Sequence, residues 1–172
     1  SLRAHLQSKG LGEFAAFERH LEGVEQDFWA NRFSVYSQWK EAHVAAYSRR
    51  GYFDSLSGFR YGGRMSRNEA INYPIQGTAF HCLLWPMIQI HRQMKRDKMQ
   101  SGFLGQIHDS MVTEVWPSER DRVIELMDTV ACRETQRHWP WINVPLKGEV
   151  EQCPVDGNWF QKTFLCKVGE TK

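Results

Sequence analysis

The chain has 172 residues, with 22 Lys and Arg against 20 Asp and Glu and 41% hydrophobic side chains. That is enough for a sizeable core, and too ordinary in charge and aromatic content for a disordered or fibrous protein. No stretch nears the ~18–20 apolar residues of a membrane span. No apolar signal core follows Ser1, and Cys82, Cys132, Cys153 and Cys166 form no CxxC pair, so a reduced cytoplasmic setting without membrane attachment is expected.

In chain order, the first thirty residues read as two helical pieces parted near Gly23. Residues 34–50 place Val35, Trp39, Ala42 and Ala46 at helical spacing, with Ser34 as N-cap and Arg49-Arg50-Gly51 as the C-terminus. Residues 52–61 predict a short hairpin turning at Ser57-Gly58. A long helix is expected from Asn68 to Met99, its apolar stripe running through Phe80, Leu83, Leu84, Met87, Ile88, His91 and Met94. Pro74 and Pro86 lie inside it and predict a kink or break at one or both, because proline lacks an N–H and crowds the carbonyl four residues back. Two strand-like runs, Phe103–Ile107 and Met111–Val115, flank the polar pair His108-Asp109 and predict a second hairpin. Ser118 is expected to cap a helix over 119–137 with Val123, Leu126, Met127 and Val130 inward, before a last strand near 145–151. The order of elements predicts an α+β fold, a small antiparallel sheet with helices on one face.

Charge is unevenly distributed. Arg49, Arg50, Arg60, Arg64 and Arg67 fall within nineteen residues that hold a single acid, Asp54, and aromatic residues are interleaved with them. A second basic run holds His91, Arg92, Lys95, Arg96 and Lys98. Cations beside aromatics suit phosphates and bases, though a solvated face with arginines lying over core rings gives the same pattern.

Two constellations could carry chemistry. Asp109, at a tight turn between strands, offers the rigid exposed carboxylate that a hard cation such as Mg²⁺ takes, although a turn Asp also bonds nearby backbone N–H groups. Asn68, Asn72 and Gln76 recur every four residues and so line one helical face. Such amides can inspect minor-groove acceptors common to every base pair, whereas Asn72 could instead cap a helix starting near Pro74.

The strings around these residues say more. Arg67-Asn68-Glu69-Ala70-Ile71-Asn72-Tyr73-Pro74-Ile75-Gln76-Gly77-Thr78-Ala79 resembles the "AIN-x-P-x-QGTA" segment of family A DNA polymerases, the DNA polymerase I family. Gln106-Ile107-His108-Asp109-Ser110-Met111-Val112 resembles their motif C, "Q-V-H-D-E-[LIV]-V". Upstream, Phe28-Trp29 with Arg32-Phe33, and Gly51 through Gly58, are similar to the family's "F-x-x-R-[YF]-P…G-Y-x-x-T-L-x-G-R" stretch. Downstream, Val144-Pro145-Leu146, Glu149-Val150 and Gly157-Asn158-Trp159 are similar to its "VPL…V…G-x-NW" ending. The four matches stand in the family's order over residues 24–160. His81-Cys82-Leu83-Leu84-Trp85, where bacterial members usually carry an Asp, is more similar to phage-encoded members, which implies the host cytoplasm.

The resemblance implies roles for matched positions. Asp109 would ligate two catalytic Mg²⁺ ions shared with a motif A Asp, and His108 would contact the primer terminus. Asn72 and Gln76 would touch the minor groove of the nascent pair and its neighbour. The DNA-contacting arginine before "AIN" falls to Arg67, with Asn68 competing for the place and Arg64 close by. Ser110 departs from the family's Glu. Motif A, "D-Y-S-x-I-E", has no counterpart, since Val35-Tyr36-Ser37 puts Val where Asp is required, and the motif B finger helix is also absent. Two metals bridging an in-line phosphoryl transfer need a carboxylate from each of two strands.

The resemblance therefore implies the end of the fingers with a short hairpin over 1–66 and the motif C half of a palm over 67–172. As a function it implies the C-terminal subunit or fragment of a template-directed DNA polymerase, inactive without a chain carrying motifs A and B. Its partners would be that chain, primer-template DNA and dNTP. The alternative is a non-catalytic palm-like module for DNA binding or assembly.

Overall fold

The computed structural model describes residues 2–10 and 13–170. It is α+β, with its strands in three two-stranded pairings. The described residues fall into two compact units, one formed by residues up to 53 with 60–72, the other by 54–59 with residues from 73 onward.

The first unit opens with α1 (Leu2–Ser8) and α2 (Phe14–Asp27). The expected break at Gly23 does not occur: Gly23 lies inside α2, and the interruption falls earlier, where Gly10 takes φ 69° beyond α1. Glycine in a helix costs only about 1 kcal/mol, too little to end it alone. A π-helical turn, Phe28–Arg32, follows, with Phe33 N–H donating to Phe28 O at 2.9 Å. The Asp27 carboxylate ties this turn down by accepting from Asn31 and Arg32, both at 2.9 Å.

In α3 (Ser34–Arg50) Ser34 is helical rather than the cap, and Gly51 ends the helix at φ 75° with its N–H donating to Tyr47 O. The packed stripe also differs from the expected one. Val35 is 80% exposed, and an aromatic column runs instead through Tyr36, Trp39 and His43 on α3 to Phe53, with successive ring centroids 4.8–5.4 Å apart. Ring area outweighed the aliphatic spacing. Strands β1 (Tyr52–Asp54) and β2 (Arg60–Gly62) pair across the predicted turn, where Gly58 takes φ 82°.

The long helix, α4 (Arg67–Arg96), is unbroken across both prolines. Pro74 has no N–H to give Ala70 O, but the His43 ring stands 3.0 Å from that oxygen and satisfies it from outside the helix. The helix starts with a capping box: Ser66 N–H donates to Glu69 at 2.8 Å while Glu69 N–H donates to Ser66 Oγ at 3.3 Å. Asn72 is therefore mid-helix and caps nothing. The buried face also differs from expectation. Met94 is inward as expected and Ile90 joins it, while Phe80, Ile88 and His91 are exposed.

In the second unit, Ile90 and Met94 close a core with Val123, Leu126 and Val130, and Phe103 and Val115 of the second hairpin pack against it. That hairpin is β3 (Gly102–Ile107) and β4 (Ser110–Glu114), antiparallel, with Leu104 as the extra residue of a bulge between the pairs Phe103–Thr113 and Gly105–Val112. The helix expected over 119–137 is composite. A 3₁₀ turn (Pro117–Glu119) leads into α5 (Arg120–Leu126), a π-helical stretch (Met127–Glu134) and α6 (Thr135–His138). Ser118 makes no cap. Its expected inward residues Val123, Leu126 and Val130 are in the core, with Met127 partly buried. The wider spacing puts the fully buried Thr135 hydroxyl on Val130 O, five residues back, at 2.9 Å.

The last strand, β5 (Gly148–Gln152), pairs antiparallel with β6 (Thr163–Val168), a strand the sequence did not reveal. Between them, Asn158 caps a 3₁₀ turn by accepting from Phe160 N–H at 3.0 Å while its own N–H donates to Gln161 Oε1 at 2.9 Å. A Cβ on Gly157 would lie 2.6 Å from Pro154 Cγ, so only glycine fits this turn. The Gly157-Asn158-Trp159 string thus has a structural role in closing β5 onto β6.

Candidate functional site

His108 and Asp109 form the two-residue tip of the β3–β4 hairpin, between the paired residues Ile107 and Ser110. The right-handed twist of paired strands favours a positive φ at the first central residue of so short a loop. His108 supplies it at φ 52°, while Asp109 keeps an ordinary negative φ. Gln106 Nε2 donates to His108 O at 3.1 Å and fastens the tip. Gln106 was visible only as part of a string, and its bracing role could not be read from spacing.

The Asp109 carboxylate is exposed and, among the described residues, accepts no hydrogen bond and pairs with no cation. The structure gives it none of the backbone partners that an ordinary turn Asp takes. An unpaired, rigidly carried carboxylate suits Mg²⁺ as one oxygen ligand, but six are needed. The described residues hold no cluster of three His, Cys, Asp or Glu that could complete a shell. Ser110 is also exposed, beside Asp109.

The base of the hairpin is held by Glu119. Its carboxylate accepts from Ser101 Oγ at 2.6 Å, Ser101 N–H at 2.9 Å and Gln100 N–H at 3.0 Å. Trp116 N–H in turn donates to Ser101 Oγ at 2.9 Å, so the entry to β3 and the exit from β4 are stitched together. The Ser101 hydroxyl and the two backbone donors hold the Glu119 carboxyl below the usual range. Nothing in the hydropathy pattern marked this residue.

Asn68, Asn72 and Gln76 all lie in α4, the first two in the first unit and Gln76 in the second. All three are exposed, and none makes a hydrogen bond among the described residues. Arg64 is exposed and unpaired in the same sense. Arg67 is engaged by Glu41 in an ion pair through Nη2, with both side chains half exposed or more. Arg60 lies over the Tyr52 ring, 4.2 Å from its centroid. In the second unit His81 Nδ1 lies 2.6 Å from Ser57 Oγ, and burial pushes the imidazole pKa below its ordinary value. None of the helices among the described residues is long and apolar enough to cross a membrane.

Comparison with known proteins places the chain in a family. The chain is 35% identical over 133 residues to the DNA polymerase I of Mycobacterium bovis, covering 71% of this chain and 15% of that protein. Over 166 residues it is 29% identical to the DNA polymerase I of Chloroflexus aurantiacus, covering 91% of this chain and 17% of that protein. It thus spans about a sixth of the length of these relatives. Its fold is similar to the POL domain of Pol1 from M. smegmatis, solved in complex with DNA primer-template and dNTP, at TM-score 0.55 and 20% identity over 76% of this chain and 26% of that one. The family model for DNA polymerase family A matches residues 14–160, and the chain belongs to that family.

Proposed function

We propose that this chain is the C-terminal section of a template-directed DNA polymerase that adds deoxynucleotides to a primer 3′ end, with motifs A and B supplied by polypeptide outside this sequence. Residues 1–66 are the end of the fingers with its short hairpin, and 67–172 are the motif C half of the palm. The observation that carries the reading is the Asp109 carboxylate, exposed and unpaired on a two-residue tip fastened by Gln106 and anchored at its base by Glu119. Asp109 would hold Mg²⁺ together with a motif A carboxylate, and the ions supply charge stabilisation at the attacking and leaving oxygens. His108 meets the primer terminus beside it. The free amides of Asn72 and Gln76 read minor-groove acceptors shared by all correct pairs, so they grip pairing geometry rather than sequence. Arg64, Asn68 and Arg67 contact DNA, Arg67 beside its ion pair with Glu41. The string from His81 to Trp85 supports a phage-type member acting in a host cytoplasm.

A second reading, a non-catalytic palm module for DNA binding or assembly, draws support from Ser110 in the place of the family's Glu. Single-turnover incorporation separates the two, after the chain is combined with a polypeptide carrying motifs A and B. The isolated chain should not extend a primer. In the assembly, Asp109→Asn keeps the size of the tip but removes the charge, so turnover should fall by several kcal/mol in activation free energy. Gln76→Ala should leave synthesis running but weaken the preference for a matched primer end. If Asp109→Asn turns over like the parent, the catalytic assignment is wrong and the module reading replaces it.

A further inference from the structure

The end of α4 carries His91, Arg92, Lys95 and Arg96, all exposed. Successive helical residues are offset by about 100°, so Arg92, Lys95 and Arg96 sit roughly opposite Ile90 and Met94, which anchor the helix in the core, and His91 lies on the flank. With Gln89 the four line a shallow, open groove between side chains of this one helix. No acid among the described residues pairs with any of the four. The one acid in the run, Asp97, is taken by Arg122 at 3.2 Å.

A helix C-terminus welcomes cations, which accounts for Lys95 and Arg96 in the last turn. It does not account for His91 and Arg92 a turn earlier. Arg92 and Arg96 are a like-charged i,i+4 pair, an arrangement that destabilises a helix. No Glu or Asp relieves it. Repulsion of this kind is relieved by an external anion lying along the groove. We propose that this face is a second, sequence-independent contact for the phosphate backbone of duplex DNA. Two features on the page favour DNA as the occupant: the chain belongs to a DNA polymerase family, and the cations are spaced along the helix. An i,i+4 step advances about 6 Å, and a duplex offers a charge about every 1.7 Å of its axis, so each cation can find a phosphate without reading a base. The contact goes beyond the catalytic reading. It needs neither Asp109 nor the minor-groove amides.

The test is equilibrium binding of the whole chain to a fluorescent duplex between 50 and 200 mM salt. Each phosphate contact contributes about 0.9 to the slope of log K against log salt, so the R92Q/K95Q/R96Q variant should lose about 2–3 units of slope. Two further variants keep the experiment decisive. R92K/R96K retains the charges and should keep the parent slope. R137Q/K147Q/K167Q removes the same net charge from exposed sites elsewhere and should change the slope by less than one unit. The loss should be the same for matched and mismatched primer ends, which separates it from failure of the Asn72 and Gln76 assignment. The proposal is overturned by equal losses in the two triple variants or an unchanged slope in the first. Failure of the parent to bind duplex at 50 mM salt, or loss of the slope in R92K/R96K with helix content intact by circular dichroism, overturns it as well.

Discussion

Replacing His108 with glycine should tighten the hairpin tip while removing the ring proposed to meet the primer terminus. His108 holds φ 52°, a conformation that costs an L-residue about 1–2 kcal/mol through crowding of Cβ against the following carbonyl. Glycine escapes that cost but has more freedom to lose on folding, about 0.4–1 kcal/mol. The difference is about 0.5–1 kcal/mol in favour of the closed hairpin, or roughly a two- to fivefold drop in its open population. Hydrogen exchange of the β3 and β4 amides reads this directly. His108→Ala is the control, because it removes the ring but keeps a Cβ at positive φ and should give no added protection. In the assembled polymerase both variants should lose incorporation to a similar degree, since both lack the ring. Faster exchange in His108→Gly than in His108→Ala would refute the argument that the turn is strained at this residue.

Three further outcomes are expected. Leu126→Ala, at a core site only 2% exposed, should cost about 2–5 kcal/mol in chemical denaturation, since the wall of Ile90, Met94 and Val130 cannot collapse fully into the space. Glu119→Gln should loosen the base of the hairpin, as read by exchange at Ser101 and Trp116, and the effect should depend on pH. A carboxyl held below its ordinary value contributes stability that is complete above the unfolded pKa and is lost as pH falls through the folded one, so parent and variant should converge under acid, starting below about 4.5. Ser110→Ala should leave both hairpin exchange and incorporation unchanged, because Ser110 is exposed and its hydroxyl makes no bond among the described residues.

The second hairpin was legible because its signal is local: two short apolar runs, a polar pair between them, and a period that places Phe103 and Val115 on the core. Gly51 was legible for the same reason, since the left-handed residue that ends α3 has to be nearly free of side chain. The continuity of α4 was not. Proline's penalty is local, but its relief came from His43, 27 residues upstream. The face of α4 was misplaced because its apolar residues outnumber the positions the core can take, leaving Phe80 and Ile88 at the surface. Strand β6 stayed hidden for a related reason. Only Val168 is buried along it, so its sequence carries little alternation, and its pairing with β5 spans a loop closed by Asn158. The Ser66–Glu69 box is a Ser-x-x-Glu string in the sequence, six residues before the Asn72 that offers a competing cap. At the site, Asp109 and the amides were readable as residue types in known strings. Their lack of internal partners was not, because only the folded chain shows what each group fails to meet.

The bulge at Leu104 bears on how the hairpin would meet another strand. Among the described residues neither β3 nor β4 has a second neighbour, so each shows one open row of backbone donors and acceptors. The two rows are not equal. An extra residue bends β3 and puts its row out of step, whereas β4 runs from Ser110 to Glu114 without one. A strand arriving from outside finds a regular template on β4 and an interrupted one on β3. The hairpin therefore has a handed docking preference written into its backbone, independent of any side chain that the incoming strand brings.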